Sequence, residues 1–234
     1  MIKKDINQND ILNSELLNAI DYNYKYSDKP IKRLKTKPIL ENSLSELEIL
    51  KKKINNIEDC ELKKNSSKIV FNDGNHLSSI MIIGDYPNQK DDEMGKPLTG
   101  EVGALFDKML NAINLTRKKI YITNVINYLP LINRKPTLSE LNRYTEFLKE
   151  HIITINPTII ILMGSTAMDA ILGSNKTISN ERGKWKEVII RGKNFKTIIT
   201  FHPAYLLRKP DKKKFSWEDL KLIRNEILKQ KINF

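Results

Sequence analysis

Four short, largely apolar runs constrain this chain more than anything else in it: Ser79 to Ile83 (SIMII), Lys119 to Ile126 (KIYITNVI), Thr158 to Met163 (TIIILM) and Lys196 to Thr200 (KTIIT). A strand that faces water on one side alternates apolar and polar residues, whereas one that is apolar throughout is covered on both faces. The runs end at Gly84, at Thr123-Asn124, at Gly164-Ser165 and at His202-Pro203. Helical spacing separates them, as in Ala104, Leu105, Met109, Leu110 and Ile113, in the stretch after Thr137 or Ser139, and in Ser165 to Leu172. Strand and helix alternating in this way call for a parallel sheet with helices on both sides. The expected fold is therefore α/β, a three-layer α/β/α arrangement around a central, mainly parallel four-stranded sheet. In open sheets of this kind ligands bind outside the carboxyl ends of the strands. Chemistry should be sought at those four ends.

Ser43 with Glu46 makes a capping-box pattern, and Leu44, Leu47, Leu50, Ile54 and Ile57 recur at intervals of three and four, which predicts a helix over about 44 to 57. The domain proper is expected to cover 43–234. Residues 1–42 are expected to be a basic, partly disordered extension with one short helix around Leu16, Leu17, Ala19 and Ile20, and Pro30 and Pro38 interrupt its basic run. A short strand is predicted at Lys68 to Phe71 before the turn Asn72-Asp73-Gly74, a second turn at Arg191-Gly192, and a last helix over Trp217 to Ile232. The connection from Asp85 to Gly103 is long for a strand-to-helix loop, and loops of that length are usually functional.

Lys and Arg outnumber Asp and Glu by 40 to 28, giving +12, which suits a partner rich in negative charge but also follows from a Lys-, Asn- and Ile-rich composition. Cys60 is the single cysteine, so the chain cannot close an internal disulfide or assemble a cysteine-based metal cluster by itself. No apolar run is long enough to cross a membrane and no apolar segment follows the basic N-terminal residues, so a cytoplasmic monomer is expected.

A lone His before Pro is usually structural, and an Asn at a strand end usually caps a turn. Here they stand in an ordered set: Gly84-x-x-Pro87, Asp91-Asp92, Gly95-x-Pro97, Gly100, Tyr121-Ile122-Thr123-Asn124-Val125, Asn133-Arg134-x-Pro136-Thr137, Arg182-Gly183 and His202-Pro203-Ala204-Tyr205-Leu206-Leu207-Arg208. In order and spacing the set resembles the uracil-DNA glycosylase superfamily, most closely its family 4, over about residues 44 to 228. The resemblance implies a hydrolase that flips uracil out of single- or double-stranded DNA and cuts its N-glycosidic bond, leaving an abasic site. It implies His202, Asp85 and Asp91 as catalytic residues and Asn124, Tyr86, Leu98, Gly84 and Pro87 as the uracil pocket. Leu206 would be an apolar wedge, and Arg208, Lys209, Lys212, Arg134 and Ser165 would contact DNA.

Several positions depart from the family's pattern. Asp85 stands for a Glu, Tyr86 for a tiny residue, Leu98 for the Phe that stacks on uracil, and Asp91 for another Glu. Of the four cysteines that hold the family's iron–sulfur cluster only Cys60 is kept, with Ile57, Tyr128 and Tyr144 at the other three positions; on that ground no cofactor and no metal site are expected. Two other readings remain open on the sequence: a DNA-binding member of the fold that has lost its chemistry, and a glycosylase for another deaminated base.

Overall fold

The computed structural model describes residues 37–131 and 134–232. The helix expected near Leu16 to Ile20, the rest of the extension up to residue 36, and Asn133 lie outside the described residues. Pro38–Phe234 form one compact unit. Its elements run α1 (Lys37–Asn55), α2 (Glu61–Lys64), β1 (Asp73–Gly74), β2 (Ile80–Gly84), α3 (Gln89–Met94), α4 (Gly100–Asn111), β3 (Tyr121–Asn124), α5 (Leu138–Ile155), β4 (Ile159–Met163), α6 (Ser165–Leu172), α7 (Ile178–Glu181), β5 (Trp185–Ile190), β6 (Lys193–Thr200), α8 (Pro203–Arg208) and α9 (Lys213–Lys229).

The four apolar runs are β3, β2, β4 and β6, lying side by side in that order and all parallel. The sheet is wider than the four strands expected, because β1 adds antiparallel to β3 and β5 adds antiparallel to β6. Both additions are edges, where a short or half-exposed strand suffices. The expected strand at Lys68 to Phe71 is instead an irregular segment tied to the sheet: the Val70 amide donates to the Asn127 carbonyl at 2.8 Å and Thr123 Oγ1 donates to the Phe71 carbonyl at 2.7 Å.

Burial on both faces explains why the central strands carry no alternation. Met81 and Ile83 of β2 point into one apolar layer with Leu50 and Ile54 of α1, Tyr144, Leu148 and Ile152 of α5, and Met168 of α6. Ile80 and Ile82 point into the other, with Phe106 and Leu110 of α4 and Leu220 and Ile223 of α9. Helix α1 begins at Lys37, so Ser43 sits inside it rather than at its cap. Capping boxes form instead on α3, between Asn88 and Asp91, and on α5, where the Glu140 amide donates to Thr137 Oγ1 at 3.2 Å and the Thr137 amide donates to Glu140 Oε2 at 2.7 Å. No helix among the described residues is long and apolar enough to cross a membrane.

Removing the α5 cap tests the frame around the site. Thr137→Ala should lower the unfolding free energy by about 1 kcal/mol in urea titration, and an unchanged midpoint would show that α5 is held by packing alone.

Candidate active site

Parallel pairing of β2 with β3 sets Gly84 directly beside Asn124, and the Val125 amide closes the register on the Gly84 carbonyl at 3.0 Å. A Cβ on Gly84 would collide with Asn124 Oδ1 and lie 3.5 Å from His202 Nε2. Glycine is therefore the residue that lets two strand ends bring their polar side chains together. Asn124 is 2% exposed, yet neither its Oδ1 nor its Nδ2 has a hydrogen-bond partner within the protein, and His202 Nε2 has none either. Leaving such a buried group unpaired costs roughly 1–3 kcal/mol. Three left open in one place mark where a ligand supplies the partners.

The fold also fixes which proton His202 carries. His202 caps α8 with Pro203 at the first helical position, and the Ala204 amide donates to His202 Nδ1 at 3.2 Å. A ring that accepts at Nδ1 carries its hydrogen on Nε2 when neutral. Burial, and secondarily the charge of Arg208, lowers the His202 pKa to about 4. At neutral pH Nε2 is thus an uncharged donor aimed at the place where Asn124 also waits.

Asp85 follows β2 and is held against the start of α6, where the Ala167 amide donates to its Oδ1 at 2.8 Å. Gly164 caps that helix with φ +113°, and a side chain there would run into the Asp85 carboxyl group. Burial pushes the Asp85 pKa up to about 7, opposed by the amides of Ala167 and Thr166 and by the charge of Lys135. A cleft of about 1210 Å³ opens in front of Asp85 and His202, lined also by Tyr86, Pro87, Ser165 and Arg208; Gly84 and Asn124 are not among its lining residues, and it is His202 that joins them to it. Burial, and then the neighbouring Asp85, raises the pKa of the Tyr86 hydroxyl. Arg134 also borders the cleft, its guanidinium forked onto Glu140 at 2.7 Å on each side. Lys209 is exposed beyond the rim, and Lys212 pairs with Asp211 at 3.2 Å.

The sequence matches the model of the Uracil DNA glycosylase superfamily over residues 71–221. The chain belongs to the uracil-DNA glycosylase superfamily. It is 32% identical over 184 residues to the type-4 uracil-DNA glycosylase of Archaeoglobus fulgidus, covering 77% of this chain and 92% of that protein. The type-4 enzyme of Thermotoga maritima is 34% identical over 166 residues, covering 69% and 83% respectively. That of Pyrobaculum aerophilum is 31% identical over 169 residues, covering 70% and 86%.

Three residues assigned to the site by the superfamily pattern are placed elsewhere. Leu206 is 1% exposed, packed in the same apolar layer as Phe106 and Ile223, so it cannot stand out as a wedge while that layer is intact; the next residue, Leu207, is half-exposed. Leu98, also 1% exposed, belongs to that layer and does not line the cleft. Asp91 is engaged in the loop: it accepts from the Thr99 amide at 2.6 Å, from Thr99 Oγ1 at 2.7 Å and from the Asn88 amide at 3.1 Å. Those bonds brace α3 within the long connection after β2. In the other direction, Lys135 and Tyr205 line the cleft without having been singled out from the sequence. Lys135 occupies the variable position of Asn133-Arg134-x-Pro136, and a cation inside a turn bounded by Pro was the signal that could have found it.

The expectation that the protein has no cofactor is corrected by this membership. The three relatives named above are type-4 enzymes, the class to which the sequence resemblance attaches an iron–sulfur cluster, and the loss of cysteines from one chain does not establish that the cluster is absent. The residues at the four positions do not by themselves fit a four-thiolate group. Cys60 Sγ lies 3.4 Å from Tyr144 Oη, Tyr128 donates to Asn55 Oδ1 at 3.2 Å, and Ile57 packs against the same apolar layer. Among the described residues no three His, Cys, Asp or Glu are placed to hold a metal ion.

Two substitutions test this geometry. Gly84→Ala should displace Asn124 and abolish turnover while leaving the protein folded, as read by circular dichroism. Asp85, with its folded pKa raised from 3.8 to about 7, contributes stability that is complete below the lower value and is lost as pH rises through the upper one. Asp85→Asn does not titrate, so it should gain stability relative to the parent between about pH 4 and 7 and then level off; a difference that stays flat across urea titrations from acid to neutral pH would contradict the buried position of the carboxyl group.

Proposed function

We propose that residues 43–234 act as a monomeric uracil-DNA glycosylase on single- or double-stranded DNA. The observation that carries this reading is the convergence of Asn124 and His202, whose buried polar atoms lack protein partners, in a chain of this superfamily. The edge that Asn124 offers is one donor and one acceptor. Nδ2 suits O4 of uracil and Oδ1 suits its N3–H, whereas cytosine presents the reverse pattern and would leave both pairs repulsive. A nucleotide must leave the base stack to reach such a pocket.

Chemistry then follows from the protonation states. As the C1′–N1 bond breaks, its electron pair goes to uracil and negative charge develops on O2. The Nε2–H of neutral His202 stabilises that charge where it forms, without itself having to titrate. The sugar takes on oxocarbenium character and water adds at C1′, with Asp85 accepting the proton. A carboxyl group with a pKa near the working pH is suited to that task. It still has lone pairs to spare beyond the amide bonds it accepts. Arg208, Lys209 and Lys212 supply cations for the DNA phosphates. A binding-only protein would have no use for Asn124 and His202 left unpaired, which favours catalysis over that alternative.

Incubation with oligonucleotides carrying uracil, hypoxanthine or xanthine, followed by alkali, reads the activity as strand scission. Scission is expected at uracil, and His202→Ala or Asn124→Ala should each slow it by roughly 100- to 1000-fold. Salt-sensitive binding with no product from any base would establish the binding-only reading instead. Because Asp85 must be ionised to accept a proton, the rate should rise with pH up to about 7, while His202 begins to protonate only near pH 4. Asp85→Asn should remove the rise, and a wild-type rate that is flat from pH 5 to 7 would discard Asp85 as the base.

A further inference from the structure

The corner where α8 gives way to α9 carries features that the cleft chemistry does not use. Phe215, the third residue of α9, is 36% exposed. Its ring is surrounded by cations: Arg182 Cζ lies 5.3 Å, Lys212 Nζ 5.5 Å and Lys214 Nζ 5.2 Å from its centroid. Arg182 is not a loose neighbour. Its Nε donates to Asp219 Oδ2 at 3.0 Å, and another of its N–H groups reaches the carbonyl oxygen of Phe215 itself. Asp219 is fully buried and also accepts from Thr200 Oγ1 at 2.7 Å. Arg182 lies against the Phe201 ring as well, at 5.7 Å. Phe215 is thus held in place, backbone and ring, by a guanidinium anchored to the end of β6.

The surroundings match one kind of partner. Arg208, Lys209, Lys213 and Lys214 are exposed and Lys212 half-exposed around this ring in sequence, and Asp211 is the one acidic residue among them. An exposed aromatic ring among cations fits a strand of nucleic acid with unpaired bases, because any base can stack on the ring while the cations meet the phosphates. A duplex offers phosphates but no free base face. Arg208 borders the cleft, and Arg182, which lies against the Phe215 ring, lies also against Phe201, a residue of the cleft wall, so one side chain connects the ring to the cleft.

We propose that Phe215 is a stacking platform for an unpaired base of the DNA strand that flanks the nucleotide in the cleft, with Lys209, Lys212, Lys213 and Lys214 following that strand's phosphates. The proposal rests on the reading of the cleft as a DNA site. It adds a preference for single-stranded over double-stranded substrate that the cleft alone does not supply. Because the platform is already rigid, little ordering cost offsets the stacking.

The test uses the full chain and a fluorescent single strand of about 16 nucleotides carrying one uracil, with 2-aminopurine placed at successive flanking positions. Phe215→Ala should bind this strand about tenfold more weakly, and Phe215→Trp should restore it. At one flanking position 2-aminopurine should be quenched by the parent and by Phe215→Trp but not by Phe215→Ala. Binding of the corresponding duplex should change little, and the maximal rate of uracil release should be the same in all three. Urea unfolding of Phe215→Ala shows whether the variant is folded, and the Trp variant reads the quench independently of it. Equal binding of the strand by parent and Phe215→Ala, or quenching that survives in Phe215→Ala at every position, overturns the platform. If the parent releases no uracil but the quench still depends on Phe215, the platform stands and the glycosylase reading falls.

Discussion

The register between β2 and β3 is the constraint on which the site depends. A shift by one residue would turn Asn124 to the other face of the sheet and take Gly84 away from the position where only a hydrogen fits. That register is fixed by burial on both sides: Ile80 and Ile82 fill one apolar layer while Met81 and Ile83 fill the other. A one-residue slip exchanges the two sets against helices already packed to receive them. The polar atoms at the strand ends are therefore placed by the apolar atoms behind them. The deep packing of the sheet and the chemistry at its edge are two parts of one arrangement.

Much of this was legible in the sequence because the central strands leave an unmistakable trace. Largely apolar runs gave the parallel core, and the residues just past them gave Gly84, Asn124 and His202 as neighbours. The edges were harder. Strand β1 is two residues long, too short for any periodicity, and its existence depends on β3 being there to receive it. Helix α1 starts before Ser43, since the run from Lys37 continues the helix without a break that the capping pattern could mark.

Side-chain direction was the least legible. In a helix as short as α8, six residues, whether Leu206 or Leu207 turns inward is decided by the position of α4 and α9, not by spacing within the segment. Asp91 shows the same limit for a polar residue: a carboxylate in a long loop reads equally as a reacting group or as a brace, and the amides of Asn88 and Thr99 settle where it is engaged. Asp85 differs because it belongs both to a cleft wall and to a helix start. Burial at that junction perturbs its titration, and no property of the Gly84-Asp85-Tyr86-Pro87 string announces it.

The bond from the Ala204 amide to His202 Nδ1 has a consequence for how such a protein could be retuned. Because the backbone holds the ring in one tautomer, its role as donor is set by architecture and is indifferent to acidity over most of the biological range. Asp85, by contrast, sits at a threshold. A lineage adapting to a more acidic or more alkaline interior would leave the histidine alone and adjust the surroundings of the carboxylate, where Lys135, Asp169 and the start of α6 are the available controls. Responsiveness to the environment is concentrated in one group so that the other can remain constant.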